Sequence, residues 1–339
     1  MKAAWVILLG ILAGAASGAH AQAKPSVIRI GYFVNLTHAQ ALAGRANGAF
    51  EKAMGPGVTI EWRAFTAGPS AIEALFANAI DVSYVGPNPT VTGYVRSQGE
   101  ALRVIAGATS GGAALVVRNG SGIQKPVDFH GKKVASPQMG NSQDVALRAW
   151  MRANNLKSRD KGGDVQIVTL ANADQLTLFL KGELDAAWAP EPWAARLVHE
   201  AGGRIFLDER DLWPKGEFVG ADVIASTRFL REHADLVKKF LQAHVELTNW
   251  INQHPVEAKQ LLNQQLQKET RKALSSEVLN DAMARMRVTY DPLRASMLTS
   301  AQRAFDEGFL GRKQPDLSGL YDLTILNSVL AERKASPIP

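Results

Sequence analysis

The stretch SPQMGNSQDVALRAW, Ser136–Trp150, decides how this chain is built. Its first residues complete the strand-like run KKVASP, and Val145, Leu147, Ala149 and Trp150 then carry helical spacing. Between the two lie Gln138, Gly140, Asn141, Ser142 and Gln143, small or amide-bearing residues at the mouth of a helix. A strand that passes through such a turn straight into a helix is the repeating unit of an α/β fold. The mouth itself admits two readings. Its polar residues cap the first turn, as Ser and Asn commonly do, or the free N–H groups there receive an anion.

The same unit recurs on both sides. Upstream, VIRIGYF, VTIEWRAF, DVSYVG and LRVIAGAT read as strands, and the segments from Ala39, Pro69 and Asn88 between them read as helices. Downstream, AALVVRN, VQIVTL, LDAAWAP, RIFLDER and FVGADVIAST are strand-like, with helices from Asn172 and Glu191. From Arg228 onward apolar residues fall three and four apart and the chain reads as helical. The expectation is an α/β protein of two lobes, each an open, mostly parallel sheet flanked by helices. Lobe one takes residues 24–110 and 222–339, the helical tail returning to pack on it, and lobe two takes 111–221. Crossovers near Ser110–Gly112 and Gly216–Asp222 form a hinge, with a cleft at the carboxyl ends of the strands.

Composition narrows the function. The chain has 339 residues, no cysteine and a formal net charge of +6. Lys and Arg are scattered without a basic run, which argues against a nucleic-acid partner. The absence of Cys excludes disulfides, a Cys nucleophile, a Cys-ligated metal and a lipid attached to Cys. Lys2, the apolar run AAWVILLGILAGAASG and the cleavage signals Ala19-His20-Ala21 and Ala21-Gln22-Ala23 mark residues 1–23 as a secretory signal peptide. The expected address is the periplasm, without a lipid anchor, and the expected state is a monomer. No Walker loop, Gly-x-Ser-x-Gly elbow or metal-binding His spacing occurs, so neither a cofactor nor a catalytic residue is expected.

Loops after the strands share the chemistry of the opening stretch. They carry Asn35, Thr37 and His38; Thr66, Gly68, Pro69 and Ser70; Gly86, Pro87 and Asn88; Ser110, Gly111 and Gly112; and the Gln138–Gln143 mouth itself. A further loop brings Trp188, Glu191 and Trp193. Each loop alone is explained by capping or by a turn, but their concentration at one end of both lobes favours a ligand site. His38 is a cleft donor or a helix-start residue. Trp188 or Trp193 walls the cleft or fills the core. Glu191 meets a cation or begins a helix, and Asp222 fixes the hinge, lies beside the cleft or sits in a surface turn.

Six segments carry a family resemblance: IRIGYFVNLTHAQAL, GPSAIEALFANAIDVSYVGPNP, VIAGATSGGAALVVR, GKKVASPQMGNSQDVALRAWM, DQLTLFLKGELDAAWAPEPWAARLV and HVELTNWINQHPVEAKQLLNQQL. In order and spacing they resemble the periplasmic substrate-binding proteins of the nitrate/sulfonate/taurine ABC-importer family, and among these the aliphatic sulfonate-binding members most. The resemblance implies a periplasmic-binding-protein fold of the type with two crossovers. It implies a small organic anion, an aliphatic sulfonate or sulfate ester, held between the lobes and handed to an inner-membrane ABC permease with its ATPase. Nitrate, taurine, bicarbonate and phosphonate are the alternative cargoes. By position, the anion-holding loops would fall on Asn35–His38, Gly68–Ser70, Gly86–Asn88, Ser110–Gly112, Gly140–Ser142 and Trp188–Glu191. Thiamine-pyrimidine synthases share the fold but use a cysteine-rich motif, which this chain lacks.

Overall fold

The computed structural model describes residues 26–339, so the expected signal peptide lies outside the described residues. The first sheet begins with β1 (Ser26–Phe33), β2 (Val58–Phe65), β3 (Val82–Val85) and β4 (Leu102–Gly111). Between them run α1 (Ala39–Asn47), α2 (Ala49–Met54), α3 (Gly68–Phe76) and α4 (Pro87–Arg96). The single helix expected from Ala39 breaks in two because Gly48 takes a left-handed conformation, φ +71°. The second sheet holds β5 (Ala113–Arg118), β6 (Lys133–Ser136), β7 (Gln166–Thr169), β8 (Ala186–Pro190) and β9 (Gly203–Asp208). Its helices are α5 (Ser142–Ala153), α6 (Asn172–Leu180) and α7 (Trp193–His199).

The chain then re-enters the first sheet as β10 (Val219–Ser226) and continues through α8 (Thr227–Glu232), α9 (Ala234–Gln253), α10 (Pro255–Thr270) and α11 (Ser276–Ala284). A short strand β11 (Met286–Val288) precedes α12 (Arg294–Asp306) and α13 (Thr324–Glu332). The first sheet has the order β11-β4-β10-β3-β1-β2 and the second β7-β6-β8-β5-β9.

Neither sheet is mostly parallel. The helix-connected trios β2-β1-β3 and β7-β6-β8 are parallel, as expected. The crossing strands are antiparallel to their neighbours: β10 to β3 and β4, β5 to β8 and β9, and β11 to β4. The reason is the connection. β4 runs through Gly112 directly into β5 with no return helix, and β10 arrives from the other sheet, so each enters its sheet against the grain. Gly111 and Gly112 have φ of +78° and +86°, and a Cβ on them would lie 2.6 Å from the Arg285 carbonyl and 2.8 Å from Thr37 Cγ2. Only glycine fits this passage.

Apolar residues cover both faces of each sheet. The helical tail closes the first: α9 packs on α2, and Phe240 stacks on Phe50 with centroids 5.0 Å apart. Burying one such ring contributes about 1.5–3 kcal/mol. The tail also reaches across, α12 onto α5 and α11 onto α7. Among the described residues no helix is long and apolar enough to cross a membrane.

One polar cluster lies inside this core. The Tyr84 hydroxyl donates to His244 Nδ1 at 2.9 Å, and His244 Nε2–H donates to the Gly107 carbonyl at 2.8 Å. Burial pushes His244 down to about 4, so the folded protein keeps this ring neutral. The unfolded chain takes up a proton near pH 6.5, where the folded one does not. Stability from this group is therefore full above pH 6.5 and drains as pH falls towards 4, by roughly 3 kcal/mol. Urea unfolding at pH 7 and pH 4.5 should show the loss, and His244→Gln should flatten its share of the slope. An unchanged slope in that variant would assign the proton uptake elsewhere.

Candidate functional site

Two small chambers lie between the sheets, on either side of Ser142, Gln143 and Gly220, which line both. Each has a volume of about 20 Å³, enough for about one water molecule.

The first chamber collects helix beginnings. Asn35, Thr37 and His38 come from the turn into α1; Thr66 and Ala67 precede α3; Gly86 precedes α4; Asn141, Ser142 and Gln143 open α5; Asn172 opens α6. Phe33, Pro137 and Pro190 complete the wall. No N-cap side chain bonds the first turn of the helices that follow Asn35, Ala67, Gly86, Asn141 or Ala171, and in the first turn of α4 only the Asn88 N–H meets a side chain, Ser142 Oγ of the facing mouth at 3.4 Å. Elsewhere Ser226 accepts from the Phe229 N–H and Ser275 from the Val278 N–H, while α9, α10, α12 and α13 also begin without a side-chain cap. Uncapped first turns leave N–H donors with partial positive charge.

Each donor is held by its surroundings. Asn35 Oδ1 accepts from Trp193 Nε1 at 2.9 Å, so Trp193 ties the second sheet to the first loop. His38 Nδ1 accepts from the Phe33 N–H at 3.1 Å, which leaves Nε2 carrying the ring hydrogen. Burial drives the His38 pKa down to about 3, so this donor is uncharged. The α5 mouth is braced from below by buried Asp144, which accepts from Ser136 Oγ, the Gly140 N–H and Arg148 Nε. Asn141 Nδ2 donates to Gln143 Oε1 at 2.8 Å, and Ser142 Oγ accepts from the Asn88 N–H at 3.4 Å. Among the described residues lining the first chamber, none carries a charge.

The second chamber is more apolar. Val145, Ala146, Trp213 and Phe218 face it, together with Pro87, Asn88, Gly111 and Gly112. Its polar members beyond these are Ser142, Gln143, Glu209, Ser300 and Arg303.

Several expected ligand contacts sit elsewhere. Trp188 does not wall a chamber: it is fully buried in the second sheet's core, and its Nε1 donates to Glu209 Oε2 at 2.8 Å. Glu191 is also fully buried and is spent internally, accepting from Arg285 Nε at 2.6 Å and the Ala195 N–H at 3.1 Å. Burial raises its pKa while the Arg285 guanidinium opposes the rise. Ser70 is exposed, and Gly68, Pro69 and Gln138 line neither chamber. Gly68 instead gives Pro89 and Asn141 room to approach. Ser110, inside β4, borders an outer hollow with Arg210 and Arg285. Asp222 lies buried within β10 rather than in a surface turn.

The site also holds residues that the sequence reading passed over. Asn172 offers the same signal as Asn141, an amide side chain where a strand gives way to a helix. Trp213 comes from a loop without strand or helix periodicity, Phe218 from the start of the strand-like run FVGADVIAST just before β10, and Arg303 from the middle of α12.

The whole architecture is shared with solved proteins. The alkanesulfonate-binding protein SsuA from Xanthomonas axonopodis pv. citri, bound to MOPS, superposes with a TM-score of 0.73 at 18% identity, over 88% of this chain and 99% of that one. The periplasmic nitrate-binding protein NrtA from Synechocystis PCC 6803 gives 0.74 at 14%, over 91% and 89%. These likenesses establish the periplasmic-binding-protein fold. In sequence, a Bacillus subtilis (strain 168) protein named for binding aliphatic sulfonates is 27% identical over 334 residues, 97% of this chain and 95% of its own. The taurine-binding periplasmic protein of Escherichia coli (strain K12) is 26% identical over 205 residues, 59% of each. The NMT1-like family model matches residues 21–266, the span that supplies every strand of both sheets except β11 and every helix mouth of the first chamber, and the chain belongs to that family.

Proposed function

We propose that this protein is the periplasmic solute-binding component of an ABC importer. It captures a small organic anion, an aliphatic sulfonate or sulfate ester, between the two sheets and delivers it to an inner-membrane permease driven by an ATPase. The observation that carries this reading is the first chamber, where uncapped helix mouths meet with neutral donors only. Oriented N–H dipoles and neutral side-chain donors stabilise a buried anionic head, and release requires no ion pair to break. The organic part then extends past Ser142 into the second chamber, against Trp213 and Phe218.

Chambers of about 20 Å³ are too small for such a solute, so admission needs the sheets to separate. In this reading residues 24–110 with 222–339 move against 111–221, and the bound ligand favours the closed pairing. Export removes residues 1–23 and leaves a monomer. No cysteine supports a thiamine-pyrimidine-synthase type of chemistry.

A thermal-shift comparison of sulfonates, sulfate esters, nitrate, taurine, phosphonates and bicarbonate tests the reading. A ligand at a hundred times its Kd stabilises by about 2.7 kcal/mol, which is readily seen. No shift with any of these anions, beside a shift with neutral or cationic solutes screened in parallel, would overturn it. Asn141→Leu should weaken the best anion by roughly tenfold or more, since a hydrogen bond to a charged group is worth about 1.5–3 kcal/mol. Unchanged affinity would remove the α5 mouth from the site.

A further inference from the structure

The second chamber contains three polar groups that lie close enough to influence one another but form no well-aligned hydrogen bond or ion pair among themselves. Glu209 is buried, accepts one hydrogen bond through Oε2 from Trp188, and forms no ion pair with a described Lys, Arg or His. The Arg303 guanidinium carbon lies over the Trp213 ring, 3.9 Å from its centroid, and the side chain's one hydrogen bond is a long 3.5 Å contact to the Leu212 carbonyl. Trp213 is 7% exposed, and its Nε1–H finds no acceptor. All three residues line the chamber. Burial pushes Glu209 up to about 7, opposed by the Trp188 N–H, the Arg303 charge and the Trp213 N–H, and burial lowers Arg303 while the Glu209 charge opposes.

A ligand end that enters here meets opposite charges that have not paired. A cationic end suits Glu209 but faces Arg303. An anionic end suits Arg303 and Trp213 but faces Glu209. An alkyl end leaves the Trp213 N–H without an acceptor and adds no partner for Glu209 or Arg303, an arrangement proteins avoid. A neutral group that both donates and accepts satisfies the set.

We propose that the second chamber selects solutes whose organic part ends in an uncharged hydrogen-bonding group, a hydroxyl or carboxamide, that donates to Glu209 and accepts from Arg303 or the Trp213 N–H. The inference rests on the first chamber as the seat of the anionic head and adds the identity of the other end. A site that hydrogen-bonds a terminal group rejects the analogue lacking it more strongly than an apolar pocket rejects an extra methylene.

Three isosteric probes decide it: 2-hydroxyethanesulfonate, propane-1-sulfonate and 2-aminoethanesulfonate differ only in the terminal hydroxyl, methyl or ammonium. Calorimetry on the full mature chain should find the hydroxyl probe tightest, by about tenfold or more over each of the others. Arg303→Met removes the opposing cation and should raise the ammonium probe by about tenfold relative to the hydroxyl one. Glu209→Gln should give the ammonium probe no such gain. A merely structural role for either residue would shift all three probes alike, which counts against the proposal. A wild-type ranking with the methyl or ammonium probe equal to or tighter than the hydroxyl probe overturns it, whatever the variants do. Binding of all three without discrimination sinks this inference and leaves the anion site standing. No binding by any of them, with the anion panel also silent, sinks the anion site and this inference together.

Discussion

Gly86→Val should abolish high-affinity capture, weakening the best ligand a hundredfold or more, while the unliganded protein keeps its fold. A Cβ on Gly86 would lie 2.5 Å from Ser142 Oγ, a contact between the first loop of α4 and the mouth of α5. Gly86 itself has an ordinary backbone, φ −76°, so valine introduces no local strain. The side chain therefore either pushes Ser142 out of the site or holds the two sheets apart. Both outcomes separate the α5 donors from Asn35 and His38. Two charge-assisted hydrogen bonds lost at about 1.5–3 kcal/mol each give the hundredfold. The melting temperature without ligand should move by about 3 °C or less, because the crowded atom belongs to the opposing element. Calorimetric titration beside a melting curve checks both halves. Wild-type affinity in Gly86→Val would place the solute outside the space between the sheets.

Arg285→Met should destabilise the protein by about 3–5 kcal/mol, the usual consequence of leaving a buried charge without its partner. Arg285 Nε donates to Glu191 Oε1 at 2.6 Å and Nη1 to Asp281 Oδ1 at 2.7 Å. Burial works against the guanidinium charge, but Asp281 and Glu191 outweigh it and raise the pKa. Once the arginine is gone, Glu191 remains fully buried and must carry a proton to remain there. A carboxyl with a raised folded pKa destabilises as pH rises above its unfolded value near 4.5. The penalty of Arg285→Met should accordingly shrink at pH 5 and grow at pH 8. The double variant Glu191→Gln, Arg285→Met should recover part of the loss. Urea midpoints across pH measure this, and a pH-independent penalty with no recovery would dissociate the effect from Glu191.

The legible part of the molecule was local. Strand-to-helix turns were visible at Gly86 and Asn141 because the residue types that a helix mouth needs are adjacent in sequence. Side-chain direction was less legible. β8 is buried on both faces, so the alternation that separates inward from outward residues is silent there, and Trp188 read as readily cleft as core. Glu191 finds its guanidinium 94 residues later, a pairing no local pattern encodes. The same holds for the second chamber, where Arg303 of α12 joins Glu209 and Trp213, which lie four residues apart between β9 and β10. The antiparallel entry of β5 and β10 was hidden for a related reason: period and composition report a strand, not the direction from which its neighbour arrives.

The uncharged lining of the first chamber has a further consequence, for the medium in which the protein works. Mobile ions weaken attraction between exposed charges over about 10 Å at 0.1 M salt, but they barely reach dipoles sealed inside a protein. Solute uptake built on Asn35, His38, Asn141 and Ser142 should hold its strength from dilute to briny surroundings. A scavenger anchored on surface lysines would fade across the same range.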